Sequence, residues 1–88
     1  MDTNTYQRLE AAGHALKAER IEACQHYLNV AESLLLSEQS PTVQYWTQEL
    51  AEWQGMPIRE AAYYALKFDR VDVADRENIL EELLNTLF

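Results

Sequence analysis

Glycine and proline are scarce, with two of each in 88 residues. So few backbone breakers leave little room for long irregular loops. No glycine-rich loop is present to cradle a phosphate in the manner of a P-loop or dinucleotide fold. Cysteine occurs once, as Cys24, so no internal disulfide can form. Basic residues are few: seven Lys and Arg against fifteen Asp and Glu give a net charge of −8. That balance repels phosphate backbones and anionic lipid, and it favours solubility or a basic partner. No apolar run, Leu34-Leu35-Leu36 included, approaches the roughly 20 residues that span a bilayer. Met1-Asp2-Thr3-Asn4 has neither the basic nor the apolar region of a signal peptide, so a cytoplasmic location is expected.

Ala, Leu, Glu and Gln dominate, and all four lose little side-chain freedom in a helix. Hydrophobic residues make up 48% of the chain, a globular proportion that argues against disorder. The length suits a single domain over residues 1–88, burying roughly 60–65% of its unfolded surface.

Hydrophobic periodicity divides the chain into helical segments. Tyr6, Leu9, Gly13 and Leu16 mark the first, from about Asn4 to Ala18, with Asn4 and Gln7 in the form of a capping box. Ile21, Cys24, Leu28, Ala31 and Leu35 form the stripe of the second, from Glu19 to Leu36, widened by Tyr27, Val30 and Leu34. Lys17-Ala18-Glu19-Arg20 contains no breaker, so one long helix is the alternative. Ser40 and Pro41 read as N-cap and N1 of a third segment, with Val43, Trp46, Leu50 and Trp53 on one face and Gly55 as its left-handed stop. Pro57 opens a fourth at its N1, with Ile58, Ala61, Ala62, Ala65 and Leu66 as a small-residue face. Asp72 is the expected cap of the last, whose stripe is Ile79, Leu80, Leu83, Leu84 and Leu87. The expected fold is all-α, a compact bundle of four or five short amphipathic helices.

Candidates for chemistry are thin. Cys24 and His26 form a C-x-H pair, but zinc needs about four ligands and the remaining histidine is His14. Positions two apart on a helix do not face each other, and Cys24 lies on an apolar stripe where a free thiol packs as a small hydrophobe. Glu10 and Glu22 each lie four residues before a histidine, which suits surface pairing. No catalytic residue, metal ligand set or cofactor is expected. The acids Asp69, Asp72, Asp75, Glu77, Glu81 and Glu82 near the C-terminus suit helix capping and a solvated face, or a dock for a basic partner.

The residues from Leu36 to Leu66 resemble the ribbon-helix-helix antitoxins of the VapB type. The resemblance rests on Leu36-Ser37, Pro41, Val43, Glu49-Leu50-Ala51, Gly55, Glu60-Ala61 and Ala65-Leu66, about a third of the chain. It implies a short strand before the proline, here residues 35–39, dimerisation and operator binding through that strand, and a C-terminal tail that holds a toxin. This sequence departs from the family in having Glu38 where the family tends to be basic, and two helical segments ahead of the match.

The function expected is a non-enzymatic protein-binding factor of bacterial or phage origin: an inhibitor, an immunity or antitoxin-like factor, or a small chaperone. The alternative is a DNA-binding transcriptional regulator of ribbon-helix-helix or helix-turn-helix type. Against it stands the candidate recognition helix from Pro57 to Lys67, which offers Arg59 and Lys67 against Glu60. Another protein of basic character is the expected partner, with neither nucleic acid nor membrane. The second and fifth stripes, with terminal Leu87-Phe88, also predict a two-fold homodimer. The predicted binding surface is Tyr45, Glu49 and Glu52 with Tyr63 and Tyr64. Aromatic rings beside carboxylates suit a partner rich in arginine.

Overall fold

Nothing in Lys17-Ala18-Glu19-Arg20 interrupts helical hydrogen bonding, and the chain runs through it as one helix, α1 (Thr3–Ser33). The computed structural model describes the backbone of residues 3–87 and the side chains of residues 3–86. Helices α2 (Pro41–Gly55), α3 (Ile58–Lys67) and α4 (Arg76–Leu87) follow. The architecture is all-α, with no strand among the described residues. Residues 35–39, where the family resemblance would place a strand, are turn and coil.

The helix ends correct several expectations. Asn4 lies inside α1 rather than at its cap. The stripe residue Leu35 lies beyond the helix, 91% exposed and left-handed at φ 57°. It ends α1 in a Schellman arrangement: the Leu36 amide donates to the Ala31 carbonyl and the Leu35 amide to that of Glu32. Asp69, at φ 58°, ends α3 the same way, the Arg70 amide donating to Ala65 and the Asp69 amide to Leu66. Gly55, expected to supply such a stop, stays helical, and Met56 follows in extended conformation. Ser40 does occupy the N-cap of α2 with Pro41 at N1, but its hydroxyl makes no capping bond. Pro57 is the N-cap of α3 rather than N1. At α4 the first helical carbonyl belongs to Asp75, which accepts from the Ile79 amide, so Asp72 is not the cap.

The chain divides into two compact units, residues 1–17 with 57–88, and residues 18–56. In the first, α3 packs on α4 and on the first half of α1. Its core is Leu9, Leu16, Ala61, Ala62, Ala65, Leu66, Val71, Ile79 and Leu83. Small residues allow close approach. A Cβ built at Gly13 would stand 2.8 Å from the Ile58 carbonyl oxygen and 2.9 Å from the Ala62 amide nitrogen. Val71 anchors the connection between α3 and α4. There the Arg76 guanidinium donates to the Val71 carbonyl and pairs with Asp69, while Arg8 donates to the Asp72 carbonyl at 2.6 Å. The Leu87 side chain and Phe88, invoked in the expected dimer, lie outside the described residues.

In the second unit, the latter half of α1 and α2 form an antiparallel pair. Tyr27 meets Trp46, and seven residues earlier on α1 Arg20 lies over Trp53, seven residues later on α2. Its buried residues are Cys24, Ala31 and Trp53, with Ile21, Leu28, Val43, Trp46 and Leu50 half-buried.

Candidate protein-binding site

A two-helix unit has one seam in which to hide apolar side chains, and residues 18–56 carry more than the seam accepts. Six of the nine large exposed hydrophobic residues among the described residues fall there: Tyr27, Val30, Leu34, Leu35, Leu36 and Tyr45. Burying a Val or Leu side chain fully is worth about 1.5–3 kcal/mol. For Leu34, 67% exposed, most of that gain is unrealised in the isolated chain.

The exposed residues are ordered. Rings form a row across the hairpin: His26 is edge-on to Tyr27 at 5.6 Å, Tyr27 stacks on Trp46 at 4.4 Å, and Tyr45 is edge-on to Trp46 at 4.9 Å. Helical spacing then extends the row in both directions. Val30 and Leu34, three and seven residues after Tyr27, continue along its side of α1. Glu49 and Glu52, four and seven residues after Tyr45, continue along its side of α2. Because the helices are antiparallel, these two stripes leave the row in opposite directions along one side of the hairpin.

The residues singled out in the sequence therefore divide between the units. Tyr45 is 54% exposed, Glu52 exposed and Glu49 half-buried, all on α2. Glu52 accepts a hydrogen bond from Gln48 at 3.3 Å. Tyr63 and Tyr64, on α3 in the other unit, are both half-buried. They sit edge to face at 5.5 Å, and Tyr64 stacks on Phe68 at 5.9 Å. Sequence reasoning placed Tyr27, Val30 and Leu34 in the core stripe. Their offset from the Cys24–Ala31 line was visible in the spacing, but not that the line alone would be covered.

Charge on this unit is one-sided. Residues 18–56 hold six glutamates, Glu19, Glu22, Glu32, Glu38, Glu49 and Glu52, against one basic residue, Arg20. Arg20 lies with its guanidinium 5.9 Å from the Trp53 ring centre, in cation–π range. Cys24 has its thiol pKa pushed up by burial and by the Glu49 carboxylate, with Arg20 opposing. A thiol held neutral is a poor nucleophile and a poor metal ligand. Among the described residues no three His, Cys, Asp or Glu side chains gather as a metal site. A cavity of about 90 Å³ in the first unit is lined in part by Tyr6, Leu9, Ile58 and Ala62, and an open groove of about 590 Å³ in the second is lined in part by Val43, Thr47, Gln48 and Ala51. No helix among the described residues is long and apolar enough to cross a membrane.

No family model, curated protein or solved structure matches the chain.

Proposed function

We propose that the chain is a non-enzymatic protein-binding factor: an inhibitor, an immunity or antitoxin-like factor, or a small chaperone. The observation that carries this reading is the aromatic row Tyr27–Trp46–Tyr45 with its exposed apolar extension. Large aromatic rings left half in water are enriched at protein interfaces, where they supply contact area at low entropic cost. Tyr45, Glu49 and Glu52 form the proposed site on residues 18–56, and Tyr63 and Tyr64 are a separate candidate on the other unit.

The test is recovery of a partner from the source cell with wild-type protein, then measurement of its affinity for Tyr45→Ala and Tyr64→Ala variants. Affinity at least tenfold weaker, with melting temperature unchanged for Tyr45→Ala, supports the reading. Undiminished affinity for both variants overturns this site. Binding to duplex DNA that weakens steeply with salt would favour the regulator reading instead.

A further inference from the structure

We infer that one side of the 18–56 hairpin docks a single cationic amphipathic helix of a partner protein. The helix lays its apolar face on Tyr27, Val30 and Leu34 and its arginines or lysines beside Glu49 and Glu52. This rests on the protein-binding reading and names both the surface and the chemistry of the partner. The surface runs from Leu34 through the row of rings to Glu52, seven residues along each helix in opposite directions. At 1.5 Å per residue that is roughly 20 Å, the length of about 14 helical residues.

Three observations select the occupant. Two antiparallel helices present ridges and a groove, and what fills such a groove with apolar anchors is a third helix. The surface is apolar at one end and acidic at the other, so its complement carries apolar and cationic residues together. A second copy of this chain brings six more glutamates against one arginine over the same span, so like charges would meet. Tyr45, with Glu49 one turn on, suits a guanidinium that stacks on the ring and pairs with the carboxylate.

The experiment uses the full chain. A fluorescein-labelled 18-residue synthetic peptide of Leu, Ala and Arg in amphipathic helical order is titrated by anisotropy. A counterpart with Glu in place of Arg serves as control. Val30→Gln/Leu34→Gln and Glu49→Gln/Glu52→Gln variants are compared, with circular dichroism and melting temperature recorded for each. Amide shifts of the wild type are mapped by NMR with the Arg peptide. The expected result is micromolar binding of the Arg peptide, at least tenfold weaker for the Glu peptide and for Val30→Gln/Leu34→Gln. Binding to Glu49→Gln/Glu52→Gln should be several-fold weaker, and shifts should concentrate on residues 27–34 and 45–52. Equal binding of both peptides, unchanged affinity in the Val30→Gln/Leu34→Gln variant, or shifts centred on residues 57–86 overturns the inference. So does a dimer in sedimentation whose interface covers Tyr27 and Leu34. A partner captured from the source cell whose affinity survives Val30→Gln/Leu34→Gln but falls with Tyr64→Ala would leave the protein-binding function standing and this surface refuted.

Discussion

Adding one methyl group at Gly13 sets two opposed effects against each other, and the structure supplies the means to weigh them. Alanine is favoured over glycine in a helix interior by about 1 kcal/mol, and a buried methyl adds about 0.8 kcal/mol. Against that, the new Cβ would lie 2.8 Å from the Ile58 carbonyl oxygen, 2.9 Å from the Ala62 amide nitrogen and 3.2 Å from its Cα. All three are backbone atoms, so no side chain can rotate away. To restore ordinary contact, α1 and α3 must part by several tenths of an ångström around Leu9, Leu16, Ala62 and Ala65. A gap of about 0.5–1 Å forfeits a quarter to a half of each dispersion contact it opens. Overpacking of this kind costs about 1–3 kcal/mol, more where backbone must move. With the stiff neighbours found here the upper part of that range applies, and the net loss expected for Gly13→Ala is about 1 kcal/mol. For a domain of this size that lowers the melting temperature by about 4–8 °C. Gly55 is the internal control, because a Cβ there meets nothing within 4 Å and its backbone is helical. Gly55→Ala should stabilise by about 0.5–1 kcal/mol. Adding Ala62→Gly to Gly13→Ala should not rescue it, since the obstructing atoms are not the Ala62 methyl. Thermal and urea unfolding followed by circular dichroism measure all three. A Gly13→Ala protein as stable as the wild type, or more so, would show that α1 and α3 are not in close contact, and the reasoning would fail.

Leu35 holds a left-handed conformation while 91% exposed, so replacing it costs no burial. Leu35→Gly should raise stability by about 0.5–1 kcal/mol, read from urea unfolding, and a loss of stability would refute the Schellman stop. Cys24 should resist iodoacetamide at neutral pH until the protein is unfolded, and alkylation at the rate of a free thiol would contradict its burial. The raised Cys24 pKa also has a sign. The unfolded thiol ionises first, near 9.0, so the unfolded state holds fewer protons above that pH and stability falls as pH rises through and beyond it. Cys24→Ala should remove that part of the alkaline loss in melts between pH 8 and 10.5, and an unchanged slope would refute the assignment.

Much of the fold was legible in the sequence because it follows from local physics. Pro41 after Ser40, the absence of a breaker between Lys17 and Arg20, and the spacing of Ile79 and Leu83 each act within a few residues. They were enough for an all-α chain and for the outer ends of its helices to within a turn, but the expected division between Ala18 and Glu19 is absent, and Thr3–Ser33 is one helix. Where the local reading failed, a nearby alternative of similar energy won. Leu35 and Asp69 took left-handed stops that glycine usually fills, while Gly55 remained helical. Asp75 took the cap expected of Asp72. The candidate site was half legible: Tyr45, Glu49 and Glu52 could be read as one exposed stripe from spacing alone. What spacing cannot give is how much of an apolar stripe its neighbour covers. Tyr27, Val30 and Leu34 flank the Cys24–Ala31 line, and only the width of the α1–α2 seam decides whether such a flank is buried. Burial depends on which surfaces meet, a property of packing over distance, and so the tertiary structure alone sorted core from candidate interface.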